Sequence, residues 1–98
     1  MSIIDQYKCL VEAYYGILEM DEYDLKIYVL KELEILIRDF VHEYNESNFD
    51  YKKEAEYIKD NINLITKLQS SLIVLNKMNS SMELILLIKS KIKKLKDN

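Results

Sequence analysis

Proline is absent from the 98 residues and glycine occurs once, at Gly16. Proline lacks the amide proton that a helix interior needs, and glycine costs a helix about 1 kcal/mol relative to alanine. A chain almost free of both, and rich in Leu, Ile, Lys and Glu, has little that interrupts a helix. The expectation is therefore an all-α fold: one domain over residues 1–98, built as an up-and-down antiparallel bundle of about four helices. An extended helical hairpin completed by dimerisation is the alternative.

Start signals divide the chain. Ser2, three residues before Asp5, opens a first helix whose apolar residues Ile3, Tyr7, Leu10, Tyr14 and Ile17 recur at helical spacing. The acidic cluster Asp21-Glu22-Tyr23-Asp24 favours the positive end of a second helix reaching about Tyr44. Leu25, Val29, Leu33, Leu36, Ile37 and Phe40 give that helix a broad apolar face, which predicts a central position with Leu36 and Phe40 in the core. Asn45-Glu46-Ser47-Asn48 reads as a loop, with Ser47 and Asp50 at capping spacing. A third helix from about Phe49 runs to Met78 or breaks near Gln69-Ser70-Ser71, and Ser80 with Glu83 starts the last one, which reaches about Lys96.

Charge and aromatics are unevenly divided. Residues 1–50 carry a net −8 and residues 51–98 a net +5, and all ten aromatics lie at or before Tyr57. Attraction between the two halves on folding accounts for this without invoking a partner. Two other readings use the charge directly. Lys89, Lys91, Lys93, Lys94 and Lys96 offer a surface for nucleic acid or an anionic membrane, yet helix C-termini favour cations in any case. Arg38 is the sole arginine and no aromatic lies near these lysines, so the usual base- and phosphate-reading groups are missing. Conversely, the carboxylates of the first half could imitate nucleic-acid phosphate before a protein that binds it.

Catalytic and metal chemistry find little support. One cysteine, Cys9, and one histidine, His42, are too few for a zinc site, and Cys9 falls beside Asp5 and Glu12 on what reads as the exposed side of the first helix. No cofactor motif is present. The longest apolar run, Leu84 to Ile88, is far short of a membrane span, and a reducing, cytoplasmic setting is the expectation. Arg38 and His42 resemble the Arg-x4–6-His pair of the helical HEPN ribonucleases, which would imply RNA cleavage, but only three residues separate them here. A solvated charge ladder one helical turn apart is the expected reading.

The sharper candidate lies on the outer side of the second helix. At about 100° per residue, Tyr28, Ile35 and His42 fall on one line opposite Leu33 and Phe40, flanked by Lys31, Arg38, Glu32 and Asp39. Aromatic and arginine anchors inside a polar rim are a common interface composition. A second internal neighbour covering Tyr28 and Ile35 is the competing expectation. The sequence thus points to a non-enzymatic protein-binding module, in general style like the small helical inhibitor, immunity and adaptor proteins of bacteria and phages. Its partner sites are Tyr28, Lys31, Ile35, Arg38, Asp39 and His42, with homodimerisation left open.

Overall fold

The structure, a computed structural model, describes residues 2–21, 24–45 and 48–97. The described residues form five helices and no strand: α1 (Ile3–Leu18), α2 (Asp24–Glu43), α3 (Tyr51–Asn61), α4 (Leu64–Lys77) and α5 (Met82–Lys96). The radius of gyration is 13.3 Å, the ~13 Å of a packed chain of about 100 residues. The chain is not an extended hairpin.

The fifth helix arises because the expected third helix is two. Ile62 leaves helical geometry with φ −85° and ψ 133°, and the Asn63 side chain then caps α4 by accepting the Thr66 amide at 2.8 Å. Asparagine is among the best N-cap residues, so Asn63 followed by Leu64 and Ile65 was a legible start signal. The serines at 70 and 71 do not break α4. They are buried against α1, where the Ser71 hydroxyl donates within hydrogen-bond reach of both the Ala13 and Lys67 carbonyls, 3.0 Å each, and Ser70 donates to Glu12 Oε1 at 2.6 Å. A polar residue that loosens an isolated helix is held here by tertiary partners.

Ser2 caps α1 as expected, accepting the Asp5 amide at 3.1 Å. Asp50 caps α3 by accepting the Lys53 amide at 3.0 Å, whereas Ser47 lies outside the described residues, as do Glu22 and Tyr23 of the acidic cluster. At the end of α4, Asn79 takes φ 53°, and the Ser80 and Asn79 amides reach back to Leu75 and Asn76 at 3.1 and 3.4 Å. This is a Schellman ending with asparagine in the left-handed position. The N-cap of α5 is Ser81, one residue later than expected, and its side chain makes no capping bond.

The central helix is α1, not α2. Close pairing joins α1 to α2, α3 and α4, and α4 to α5. Ala13, Ile17, Leu33, Leu68, Leu75, Leu84 and Ile88 form the middle of the main core. A second, smaller core gathers Tyr7, Val11, Tyr51 and Ile58, with Phe40 and Phe49 packed on it. Tyr7 is its hub: its hydroxyl donates to the Tyr51 carbonyl at 2.7 Å, and its ring meets Tyr51 edge-on at 4.7 Å. The Tyr51 hydroxyl in turn donates to the Tyr44 carbonyl. Several of the first half's aromatics are thus spent on tying α1, α2 and α3 together.

Helix α2 buries only Lys26, Val29 and Leu33. Lys26 is buried with its Nζ donating to the Met20 carbonyl at 2.8 Å, which ties the first turn of α2 to the residue just beyond α1. Leu36, expected in the core, is 40% exposed, and Phe40 is half-buried against the aromatic cluster. The reason lies in α1, whose small residues Ala13 and Gly16 admit α4 so closely that α4 takes the central contact that α2 was expected to make.

A Cβ added at Gly16 would stand 2.8 Å from the Lys67 carbonyl oxygen and 2.8 Å from Ser71 Oγ. Backbone cannot swing aside as a long side chain can. Gly16→Ala should therefore cost about 1–3 kcal/mol in overpacking, outweighing the ~1 kcal/mol that alanine gains in helix propensity. Thermal unfolding should show a lowered midpoint, and a raised one would contradict the close approach.

Candidate functional site

All six residues expected at a partner site, Tyr28, Lys31, Ile35, Arg38, Asp39 and His42, are exposed on α2. Tyr28 is 67% and Ile35 48% exposed, so no internal neighbour covers them. The six do not form one cluster. Lys31 and Arg38 turn to one side of the Tyr28–Ile35 line, and Arg38 lines a hollow with Tyr14, Tyr15, Glu34 and Ile37 between α1 and α2. Its Nε lies 3.8 Å from Asp39 Oδ1, both side chains well exposed. His42 is exposed in the last turn of α2, where a cation is favoured by the helix dipole.

The other side of the line opens on a groove that the sequence did not reveal. Helices α2 and α4 both pack on α1 but, among the described residues, have no comparable pairing with each other. Between them lies a hollow of about 240 Å³ floored by Cys9 and Leu10 of α1 and walled by Leu36 and Phe40 of α2, Ile73 and Val74 of α4, and Met78 at the C-cap of α4. It continues past Glu32, Ile35, Leu36 and Met78 to Leu25, Tyr28 and the α4–α5 turn at Asn79, Ser80 and Ser81. Met78 borders all three stretches. From Leu25 to Phe40 the α2 wall is about 22 Å long at 1.5 Å per residue.

Charge around this groove is sorted. On α2, Glu32, Asp39 and Glu43 share the groove-facing sector with Leu25, Tyr28, Ile35 and Leu36, while Lys26, Lys31 and Arg38 lie off it. Lys77 stands on the α4 side. The signal that could have found the α4 wall was Ile73, an apolar residue off the core stripe of its helix.

Cys9 is half-buried in the groove floor rather than exposed. Burial pushes its thiol above the ordinary value, with a hydrogen bond to Ser70 pulling the other way, so it is a poor thiolate. Among the described residues, no group of three or more His, Cys, Asp or Glu side chains is placed to hold a metal ion. No described helix is long and apolar enough to cross a membrane. Compared with known proteins, the chain matches no family model, no curated protein and no solved structure.

Two tyrosines have raised pKa values. Burial, reinforced by neighbouring phenols and carboxylates, pushes Tyr7 from 10.0 to about 12. Burial also raises Tyr14 to about 12, helped by its 2.9 Å hydrogen bond to Glu34 Oε1. Tyr7 is 2% exposed and bonded to a carbonyl, which makes it a structural group. In both cases the folded state favours the neutral phenol, so the contribution to stability is complete below the ordinary pKa and is lost as pH rises from 10.0 to about 12. Tyr7→Phe should cost about 0.5–1.5 kcal/mol at neutral pH by removing one hydrogen bond. It should also make the loss of stability across that alkaline window shallower. Denaturant unfolding at several pH values checks both, and an unchanged alkaline slope would contradict the assignment.

Proposed function

We propose that this protein acts without catalysis, by binding another protein chain along the groove between α2 and α4, in the manner of an inhibitor, immunity or adaptor module. The observation that carries the reading is the continuity of exposed apolar surface along the groove: Leu25, Tyr28, Ile35, Leu36 and Ile73 are each at least 36% exposed and line connected hollows. Contiguous apolar surface of this kind, bordered by charge, costs solubility and is characteristic of interaction sites. Two helices flanking an apolar floor also form the shape into which an amphipathic helix docks.

A second reading rests on Lys89, Lys93, Lys94 and Lys96, which are exposed along α5 and would meet nucleic acid. Salt-dependent retention on DNA or RNA would favour it, since phosphate contacts weaken steeply with salt. The phosphate-mimicking reading requires a nucleic-acid-binding partner and is a special case of the first.

A photo-activatable cross-linking residue at position 28 or 35 should capture a discrete protein in producing cells, whereas the same residue at Lys52, exposed on α3, should not. With the captured chain in hand, Tyr28→Ala and Ile35→Ala should each weaken binding by about 1–3 kcal/mol while moving unfolding stability by less than ~0.5 kcal/mol. Equal capture from all three positions, or marked destabilisation by both alanine variants, would sink the groove as a docking face.

A further inference from the structure

We infer that the occupant of this surface is a second copy of the same chain, each copy laying its α5 against the other's α2. The inference rests on the groove being a docking face and adds what docks there.

The argument starts from the outer side of α5. Met82, Leu86 and Leu87 are exposed in its first half, and Lys89, Lys93, Lys94 and Lys96 in its second. Its only acidic residue is Glu83, in the first turn. Helix α5 has 15 residues, about 22 Å at 1.5 Å per residue, which matches the α2 wall of the groove. Neither face is internally satisfied: the α5 lysines enter no ion pair among the described residues, and Asp39 has only the 3.8 Å contact with its exposed neighbour Arg38.

The two faces are also contiguous. The α4–α5 turn closes the groove beside Leu25 and Tyr28, and Met82 begins α5 directly after Ser81. Along the path from the C-terminal half of α2, through the turn, to the C-terminal half of α5, the surface reads acidic at Asp39 and Glu43, mainly apolar from Ile35 through Tyr28 and Leu25 to Met82 and Leu86, interrupted by Glu32, the Asn79-Ser80-Ser81 turn and Glu83, and basic from Lys89 to Lys96. A surface ordered acid, apolar, base is self-complementary under a two-fold rotation about its apolar centre. That rotation places apolar on apolar, acid on base and base on acid, the arrangement an isologous dimer requires. Complementary charge then fixes the register and speeds encounter.

The test uses the full-length chain and two charge-reversed variants, Asp39→Lys/Glu43→Lys and Lys89→Glu/Lys93→Glu, all at exposed positions, with helicity checked by circular dichroism. In sedimentation velocity at low ionic strength the wild type should form a dimer that weakens as salt is raised. Each variant alone should associate at least about tenfold more weakly, since like charges then face each other. An equimolar mixture should recover a heterodimer, because both faces of that pair are again complementary. A wild type that stays monomeric across the accessible concentration range overturns the inference, as does a mixture that fails to recover association. Binding of monomeric wild type to phosphatidylserine vesicles through Lys89 and Lys93 would overturn it in favour of a membrane surface. If the protein is monomeric but position 28 still cross-links a foreign protein, the docking face stands and only the second copy is excluded. If position 28 captures nothing and the protein is monomeric, both fail.

Discussion

The crossing of α1 and α4 at Gly16 governs the rest of the architecture. With no Cβ at Gly16 and only a methyl at Ala13, the two helices approach until the Ser71 hydroxyl can reach the Ala13 carbonyl across the interface. The same crossing buries Lys67, 2% exposed, whose Nζ donates to Glu19 Oε2 at 2.8 Å and to the Lys59 carbonyl at 2.9 Å. A buried ammonium is costly unless paired and hydrogen-bonded, and here one side chain links the end of α1, α3 and α4. The close contact gives α1 the central place, and α2 is left as a cover on one of its flanks. The groove is a consequence: α2 and α4 share a floor but, among the described residues, are not closely paired along it.

Electrostatics on this molecule divide between the interior and the surface. The net −8 and +5 of the two halves suggest attraction within the fold. Among the described ion pairs, Lys67 with Glu19 is the one that joins a carboxylate of the first half to a lysine of the second. Lys8 and Glu54, 3.8 Å apart, join the halves in the opposite sense. Most of the asymmetry therefore remains on the outside, with acids along the groove side of α2 and lysines along α5. Exposed single pairs contribute little to stability, whereas opposed charged faces can select a partner and an orientation.

Helical content and the Ser2 cap are readable from local pattern, because capping chemistry and helical periodicity are properties of short segments, whereas periodicity places Tyr28 and Ile35 opposite Leu33 without deciding whether a second neighbour covers them. What failed depended on distant residues. Sequence pattern points to α2 as the central helix because α2 is long and apolar on its face, whereas the feature that decides centrality is a glycine that pattern alone counts as a weak point of α1. Ser70 and Ser71 looked like a break because their partners, Glu12 and Ala13, lie 58 positions away. The groove was invisible for the same reason: Cys9, Leu36, Ile73 and Met78 come from three helices, and each alone reads as an ordinary core or stray apolar residue.

Amide hydrogen exchange reports this hierarchy directly, since residues that open only with global unfolding exchange slowest. The account predicts the greatest protection in α1 around Ala13–Ile17 and in α4 around Leu68–Leu75, with α2 from Tyr28 to Phe40 exchanging measurably faster. Protection in α2 equal to or greater than that in α1 would contradict a fold organised around the α1–α4 crossing.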